Sequence, residues 1–195
     1  MIRFFDILFS FLGLIILSPF FIIIALLIVC FSNGCVFYMQ KRVGKQNKNF
    51  ILLKFRTMNA GADEKGLLTI GMQDTRITKV GCFLRKYKLD ELPQLWNVLK
   101  GDMSLVGPRP EVRKYVDLYN DKQKRVLEVR PGITDYASIE YFDENNILAQ
   151  SDNPEKQYIE EIMPKKLQLN LRYIENRSLK EYFRILFLTV KSIFI

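Results

Sequence analysis

An apolar run opens the chain, and a sequence of mixed polar and apolar residues follows it. From Phe11 to Phe31 all but three residues are apolar, and residues 7–40 contain no charged side chain. About 20 apolar residues are enough for a helix to cross the hydrocarbon core of a bilayer. The pattern therefore predicts a membrane-embedded helix within residues 1–40 and a water-exposed domain over residues 41–195.

A Ser-Pro pair interrupts this run near its middle. Pro19 has no N–H to donate to the carbonyl of Ile15, and its ring clashes with that carbonyl. The hydroxyl of Ser18 can bond back to the carbonyl of Leu14 and favour a bend. A carbonyl without a partner is costly in hydrocarbon. The residues alone leave two structures open: a kinked helix that spans the membrane, and a hairpin that enters and leaves on one face.

Two short apolar stretches in the second part of the chain are typical of β-strands. Val36–Gln40 and Phe50–Phe55 flank a polar turn at Gly44–Asn49, and this arrangement predicts a hairpin. Residues 59–79 are polar and contain glycine, so we expect a loop with one short helix there.

The middle of the chain predicts one helix and one rigid loop. Arg85–Lys100 carries apolar residues at helical spacing, namely Leu89, Leu92, Leu95, Trp96 and Leu99. Pro93 suits the first turn of a helix, and Gly101 is a typical stop signal. The run Leu105–Pro110 contains two prolines and is expected to be extended.

Amphipathic patterns predict helices over residues 111–129 and 154–175. In the C-terminal segment Arg177–Ile195 four basic residues share one helical face, and these are Arg177, Lys180, Arg184 and Lys191. We expect this helix either to lie in the membrane interface with its cations towards the headgroups or to dock on the protein core. The predicted fold class is α+β and mostly helical, a compact domain with interfacial amphipathic helices around it.

The charge of the chain is distributed unevenly. It has 29 Lys and Arg against 21 Asp and Glu, a net charge of +8, and the first 40 residues contribute only Arg3 and Asp6. Residues 41–58 contain six basic residues and no acidic one. By the positive-inside rule this flank is cytoplasmic, and anionic lipid headgroups attract it. A solvated basic loop is the alternative interpretation.

The composition narrows the possible chemistry. The chain has no histidine, which excludes His-based triads, His general bases and most zinc sites. Its three cysteines form no CxxC pair and are interpreted as reduced thiols. Catalysis therefore has to rest on carboxylates, Lys, Tyr, Cys or a hard metal ion.

The adjacent acids Asp90 and Glu91 stand at or next to a predicted helix N-terminus and are the first candidates for catalysis. There the helix dipole favours ionised carboxylates, although a simple capping role is an alternative. The prolines around Arg109 fix its backbone and aim a guanidinium suited to phosphate. Lys54 and Arg56 project to the same side of the predicted strand. Carboxylates with Lys and Arg fit metal-assisted phosphoryl transfer, in which a carboxylate can be the nucleophile.

Three segments carry a recognisable pattern: KFRTM at Lys54–Met58, LDELPQLWNVLKGDMSLVGPRPE at Leu89–Glu111 and RPGIT at Arg130–Thr134. Together they resemble the bacterial sugar transferases, the monotopic phosphoglycosyl transferases that begin glycan assembly. The resemblance extends from about Arg3 to the C-terminus. The chain is expected to be the minimal form of the family, without the additional membrane-spanning bundle of larger members.

The resemblance implies both a topology and a reaction. The helix would be re-entrant and broken at Ser18-Pro19, and the catalytic domain would lie on the cytoplasmic face of a bacterial inner membrane. The enzyme would transfer a sugar-1-phosphate from a UDP-sugar to undecaprenyl phosphate and release UMP. This would be the first membrane step in the assembly of a capsule, O-antigen, exopolysaccharide or glycoprotein glycan.

The resemblance also implies roles for individual residues. Asp90 would be the nucleophile that forms a covalent phosphosugar intermediate, and Glu91 would assist the metal or act as a base towards the lipid phosphate. Lys54, Arg56 and Arg109 would bind phosphate. Mg²⁺, held by Asp90 and Glu91, would neutralise the diphosphate. Membrane lipids and downstream glycosyltransferases are the expected partners, and nucleic acid is not.

The chain departs from the family pattern at several positions whose roles stay open, among them Asp135, Glu140, Phe142 and Asn170. Phe142 stands where the motif often ends in Arg, and Asn170 where Asp is common. The identity of the sugar and the oligomeric state also stay open. Two other functions are possible: a catalytically degenerate family member that acts as a membrane-bound interaction partner, and a membrane-tethered nucleic-acid binder suggested by the basic charge, although no nucleic-acid motif is visible.

Overall fold

The computed structural model of the chain describes residues 1–32, 34–62, 71 and 74–194. The loop with one short helix expected over residues 59–79 lies partly outside these residues, because residues 63–70, 72 and 73 are not among them. The described part is mostly helical and contains two small two-stranded sheets. The predicted α+β class, mostly helical, is confirmed at this level.

The N-terminal apolar run forms one continuous helix of 30 residues, α1 (Ile2–Phe31), which contains Pro19. It is long and apolar enough to cross a membrane. The hydroxyl of Ser18 donates to the carbonyl of Ile15 at 2.8 Å, so the prediction that it bonds to Leu14 is wrong. Because Pro19 has no N–H to offer the Ile15 carbonyl, the neighbouring hydroxyl supplies the missing donor.

The N-terminal end of α1 is attached to the rest of the protein by its two charged residues. Arg3 donates to two carbonyls in the last turn of α3 (Gln94–Lys100), those of Val98 at 2.7 Å and Leu99 at 3.0 Å. Asp6 is buried and accepts hydrogen bonds from three groups, the hydroxyls of Ser104 and Tyr182 and the N–H of Leu105. A buried carboxylate is tolerated only when it is hydrogen-bonded in this way.

The C-terminal half of α1 contacts the same domain elsewhere. Ile24 and Ile28 are buried in one apolar cluster with Phe55 and Leu84. Between the two attachments, large apolar side chains are exposed, among them Ile15, Ile16, Phe20, Ile22 and Ile23. Both ends of the helix therefore lie against one domain, while its middle presents apolar side chains outward.

The predicted hairpin is confirmed. β1 (Phe37–Val43) and β2 (Asn49–Phe55) pair antiparallel, with Phe37 opposite Phe55 and Val43 opposite Asn49. β1 continues three residues beyond the predicted end at Gln40. The pairing carries Lys54, near the end of β2, towards the centre of the domain.

The single helix predicted over Arg85–Lys100 is wrong, because the chain breaks there. α2 (Lys79–Lys86) is followed by a 3-10 turn (Leu89–Glu91) and then by α3. Lys88 adopts the left-handed conformation with φ 55° and ψ 21°, which no α-helix can continue. The predicted stop at Gly101 is confirmed by its φ of 103° at the C-cap of α3.

Part of the predicted extended loop over Leu105–Pro110 is a strand. β3 (Ser104–Val106) pairs in parallel with β4 (Gly132–Thr134), which the sequence analysis did not predict. A Cβ atom on Gly132 would lie 2.1 Å from the backbone nitrogen of Gly107. The two strands therefore approach each other closely only because both positions are glycine.

The remaining helices surround this centre. The helix predicted over residues 111–129 is interrupted, because the chain forms α4 (Arg113–Val116), α5 (Asp121–Lys124) and a 3-10 turn (Arg125–Glu128). Two short helices that were not predicted follow, α6 (Tyr136–Glu140) and α7 (Glu144–Ala149). The helix predicted over 154–175 is confirmed as a nearly continuous run of α8 (Pro154–Gln157), a π-turn (Tyr158–Ile162) and α9 (Met163–Glu175).

The C-terminal segment forms the helix α10 (Leu179–Phe194). Of the two positions expected for it, docking on the core is confirmed and a location in the membrane interface stays a prediction. Tyr182 and Ile185 are fully buried, so the helix docks on the core. Its other side exposes Phe187, which is 71% accessible, and the ring of Phe183 contacts that of Phe5 in α1 at 5.1 Å between centroids. The exposed apolar side of α10 thus adjoins that of α1.

Candidate active site

The acidic pair lies on the 3-10 turn that joins α2 to α3. Lys88 begins this turn in its left-handed conformation, and Pro93 is the N-cap residue of α3. The turn directs Asp90 and Glu91 into the domain, since Asp90 is 6% exposed and the Glu91 side chain 12% exposed. Carboxylates at this depth require compensation by cations or hydrogen bonds.

Glu91 receives that compensation from two cations. Lys54 Nζ lies 2.8 Å from Glu91 Oε1. Arg109 binds both carboxylate oxygens, with Nη1 donating to Oε2 at 3.1 Å and Nη2 forming a second ion pair with Oε1. Burial by itself would raise the pKa of the Glu91 carboxyl, but Arg109 and Lys54 together hold this pKa well below its ordinary value. Glu91 is therefore ionised and committed to these two partners.

Asp90 is in a different state from its neighbour. Burial raises the pKa of its carboxyl, an effect that the nearby positive charge of Lys54 only partly offsets. Within the described part of the chain, no cation lies within 4.0 Å of its carboxylate oxygens. A buried carboxylate without an ion pair is less stabilised than one in a salt bridge, and a less stabilised anion is more available to react.

The two cations of the site come from distant parts of the chain. Lys54 is on β2, and burial lowers the pKa of its ammonium. Arg109 lies in the loop after β3, and the carboxylate of Glu91 raises the pKa of its guanidinium. The arrangement brings together three of the predicted site residues around Asp90: Lys54, Glu91 and Arg109.

Asp135 holds the loop that carries Arg109. The backbone N–H of Arg109 donates to Asp135 Oδ2 at 3.1 Å, and the N–H of Ser138 donates to Oδ1 at 2.5 Å. Asp135 is fully buried and is the N-cap residue of α6. One departure from the family pattern thus has a structural explanation, since this carboxylate ties the arginine loop to a helix start.

Arg56 follows the last residue of β2. Its guanidinium stands against Gly34, where a Cβ atom would be 1.5 Å from Arg56 Nη1, and its backbone N–H donates to the carbonyl of Val36 at 2.9 Å. Gly34 follows the C-terminal end of α1. The role of Arg56 in phosphate binding stays a prediction.

The sequence analysis missed two cations near the acidic pair, Arg85 and Lys88. Arg85 donates from Nε to the hydroxyl of Thr57 at 2.9 Å. Burial lowers the pKa of its guanidinium, and Asp90 is the strongest opposing charge. Helical spacing gave no signal for Arg85, because a continuous helix was expected over Arg85–Lys100 and the break at Lys88 changes how α2 is placed relative to the acidic pair.

The other three departures from the family pattern, at Phe142, Asn170 and Glu140, lie in different environments. The ammonium of Lys88 lies 4.6 Å from the ring centroid of Phe142. Asn170 is buried in α9, and its Oδ1 has no hydrogen-bond partner among the described residues. Glu140 is exposed at the end of α6.

The fit of the site to Mg²⁺ depends on its carboxylates. In the described ranges no cluster of three or more His, Cys, Asp or Glu side chains forms a metal site. Mg²⁺ commonly uses only one or two carboxylates together with substrate phosphates. Asp90 fits this requirement, whereas both oxygens of Glu91 already bind cations. The site therefore fits Mg²⁺ with Asp90 as its protein ligand, and with Glu91 only if Lys54 or Arg109 releases an oxygen.

Comparison with known proteins gives consistent matches along the chain. The family described as "Bacterial sugar transferase" matches residues 1–195. The "Uncharacterized sugar transferase EpsL" of Bacillus subtilis is 42% identical over 160 residues, which are 82% of this chain and 70% of that protein.

Two larger relatives have more specific names. The UDP-N-acetylgalactosamine-undecaprenyl-phosphate N-acetylgalactosaminephosphotransferase of Aeromonas hydrophila is 37% identical over 191 residues, 96% of this chain and 42% of that protein. The UDP-glucose:undecaprenyl-phosphate glucose-1-phosphate transferase of Klebsiella pneumoniae is 37% identical over 193 residues, 97% of this chain and 39% of that protein. The chain thus spans about two fifths of the length of these two relatives.

Proposed function

The chain belongs to the bacterial sugar transferase family, which it matches along its whole length, and we propose that it transfers a sugar-1-phosphate from a UDP-sugar to undecaprenyl phosphate with release of UMP. The observation that carries this proposal is the contrast between the two adjacent acids. Glu91 is bound by two cations, while Asp90 is buried without an ion pair in the described part of the chain. This contrast supports a positioning role for Glu91 and a reactive role for Asp90.

In the first proposed step, a carboxylate oxygen of Asp90 attacks the β-phosphorus of the UDP-sugar. A bond forms between this oxygen and phosphorus, and the bond from the same phosphorus to the oxygen that bridges the two phosphates breaks. That oxygen keeps the electron pair and leaves as part of UMP. The sugar phosphate remains on Asp90 as an acyl phosphate.

In the second proposed step, an oxygen of undecaprenyl phosphate attacks the same phosphorus. The bond between phosphorus and the Asp90 oxygen breaks, and its electron pair returns to the carboxylate. The product is undecaprenyl diphosphate-sugar, and Asp90 is free for another cycle. Because the phosphate of the lipid is already anionic at neutral pH, this step does not require a strong base.

The roles of the surrounding residues follow from their charge. Lys54 and Arg109 provide positive charge where the diphosphate has to lie, and Arg109 can offer the planar donor pair that suits phosphate oxygens. Glu91 orients both cations by binding them. A carboxyl with a pKa held well below its ordinary value is a weak base, so the contacts support orientation of the cations by Glu91 more than proton transfer.

Mg²⁺ is the proposed cofactor, with Asp90 as protein ligand and Glu91 available on exchange of a cation. When bound, it would neutralise negative charge on the diphosphate. The chain's own contribution is to hold the phosphates with Lys54 and Arg109 and to keep water away from the buried Asp90.

For the membrane segment we propose a re-entrant path with both ends on the cytoplasmic face. A helix of 30 residues is about 45 Å long and would place its ends on opposite sides if it spanned the bilayer. Arg3 and Asp6 at one end and Ile24 and Ile28 near the other contact a single charged domain. These contacts support a helix whose exposed middle enters one leaflet. The basic flank at residues 41–58 supports the inner face of the cytoplasmic membrane.

This topology predicts that the N-terminal end of α1 and the domain are both protected in intact cells. In a variant with Cys30, Cys35 and Cys82 replaced by serine, one cysteine is placed in a short hydrophilic extension before Met1. A matched control carries its only cysteine at Lys122, which is exposed on the domain. We expect a membrane-impermeant maleimide to label neither variant in cells with a permeabilised outer membrane, and both after lysis. Labelling of the N-terminal cysteine alone in such cells would contradict the re-entrant path.

The proposed reaction is tested by UMP release. Purified protein in detergent or nanodiscs receives undecaprenyl phosphate, Mg²⁺ and one of a panel of UDP-sugars. We expect UMP with at least one donor and its loss on chelation with EDTA. Folded protein that releases no UMP with any donor would refute the proposal and favour the degenerate, partner-binding alternative.

A further inference from the structure

Lys88 occupies a strained position at the edge of the candidate active site. It has φ 55° and ψ 21° although it is not glycine, a conformation that is costly for a residue with a Cβ atom. Its N–H donates to Arg85 at 3.1 Å, and its carbonyl accepts from Glu91 at 3.3 Å. Backbone strain of this kind concentrates at functional sites, where the surrounding structure maintains it. Lys88 is the residue that turns the chain from α2 into the acidic turn.

The side chain of Lys88 has a defined location. Its ammonium lies over the ring of Phe142 at 4.6 Å from the centroid, a geometry that attracts a cation to an aromatic face. The residue is half-buried. The charged groups that act on the ammonium most strongly are Arg109, Glu91 and Asp90. The ammonium therefore lies in the electrostatic environment of the acidic pair.

The cations around the acidic pair differ in whether they form an ion pair with a carboxylate. Lys54 and Arg109 are both ion-paired with Glu91. For Lys88, no carboxylate lies within 4.0 Å in the ranges that the structure describes. A half-buried cation next to another cation is unfavourable unless an anion is supplied. The charges of Glu91, Asp90 and Glu144 act on the ammonium without forming an ion pair with it in the described ranges, so an anionic ligand would still stabilise it.

We propose that Lys88, supported by the ring of Phe142, binds a phosphate group of a substrate. Lysine acts as a compact point charge and is a common phosphate ligand. The inference rests on the proposed function, which supplies two sources of phosphate, the diphosphate of the nucleotide sugar and the headgroup of the lipid. Lys88 is assigned to binding and not to the bond-making step.

The test compares two variants of Lys88 with a matched control. Lys88→Asn removes the charge but keeps a residue that tolerates the left-handed conformation, and Lys88→Arg keeps the charge. Lys86→Asn removes a neighbouring exposed charge on α2. Rates of UMP release are measured against UDP-sugar and against undecaprenyl phosphate, and binding of UDP is measured by calorimetry.

Loss of a charged hydrogen bond to phosphate is expected to raise KM about 10- to 100-fold in Lys88→Asn, with a much smaller change in kcat. Lys88→Arg recovers most of the affinity, and Lys86→Asn stays within about twofold of the wild type. A rise in the KM of the UDP-sugar together with weaker UDP binding assigns Lys88 to the diphosphate. A rise in the KM of the lipid alone assigns it to the lipid phosphate.

Two results would overturn the inference: unchanged KM values for both substrates in Lys88→Asn, or a fall in kcat alone. If circular dichroism shows that Lys88→Asn is unfolded, Phe142→Leu is measured instead. Removal of the ring is then expected to raise the same KM by a smaller factor, and an unchanged KM would overturn the inference. If the wild-type protein releases no UMP but binds UDP, and Lys88→Asn binds UDP more weakly, the proposed function is refuted and the inference is kept. Wild-type protein that neither binds UDP nor releases UMP would refute both.

Discussion

Replacement of Asp90 by asparagine is expected to lower the rate of UMP release by about a thousandfold or more, because the amide has no anionic oxygen with which to attack phosphorus. The two side chains have the same shape, so the turn and its neighbours are kept. Steady-state kinetics on the donor identified in the UMP assay measures the loss. Asp117→Asn is the matched control, since this carboxylate is 61% exposed and pairs with Arg113 on the surface.

The same variant has a predictable effect on stability. Burial raises the pKa of Asp90, so the charged carboxylate is less favourable in the folded protein than in water. A neutral side chain avoids this cost, and we expect the free energy of unfolding of Asp90→Asn to be unchanged or raised by about 1 kcal/mol. Thermal unfolding in nanodiscs checks the result. Loss of activity together with equal or greater stability separates a chemical role of Asp90 from a structural one.

A burst experiment tests the covalent step directly. Wild-type protein mixed with the UDP-sugar but without lipid is expected to release about one UMP per molecule and retain the labelled sugar phosphate. Asp90→Asn is expected to do neither. Activity of this variant above about a tenth of the wild type would remove Asp90 as nucleophile, because no remaining group could replace it without a larger loss.

Replacement of Glu91 by glutamine is expected to have the largest effect on stability. It would leave Lys54 and Arg109 without their common carboxylate, and their side chains are only 17% and 33% exposed. Breaking a buried ion pair on one side costs about 3–5 kcal/mol. We expect a loss near 3 kcal/mol, since Arg109 keeps some contact with water. The free energy of unfolding in urea measures it.

An exposed ion pair provides the control for Glu91. Lys114 and Glu155 are paired with side chains that are 54% and 48% exposed, and Glu155→Gln is expected to cost less than about 1 kcal/mol. A double variant, Glu91→Gln with Lys54→Met, should recover part of the loss because one unpaired cation is removed. Equal small losses in Glu91→Gln and Glu155→Gln would show that the buried triad contributes no more than a surface pair.

Local features of this protein could be predicted because they depend on neighbours in the chain. The apolar run became α1, the two short apolar stretches became a hairpin, and Gly101 ended α3. The motif around Asp90 identified the family before any contact was known, and the family match along the chain agrees with it. Each of these signals is contained in a short window of sequence.

Two features of the fold could not be predicted from the sequence for a similar reason. The break at Lys88 was missed because the apolar spacing of Arg85–Lys100 continues across it, so periodicity carried no sign of a change in direction. The parallel pairing of β3 with β4 was missed because each strand has only three residues. In both cases tertiary contacts outweighed the local preference.

By itself, the sequence determined the long apolar helix, the β-hairpin, the family and the identity of the acidic pair. The tertiary structure alone decided which acid is paired and which is not. Glu91 binds Lys54 and Arg109, which are 37 and 18 residues away in the chain, while Asp90 beside it is buried without an ion pair among the described residues. Adjacent carboxylates have the same chemistry in the unfolded chain, and only the packing of distant strands and loops gives them different charge environments.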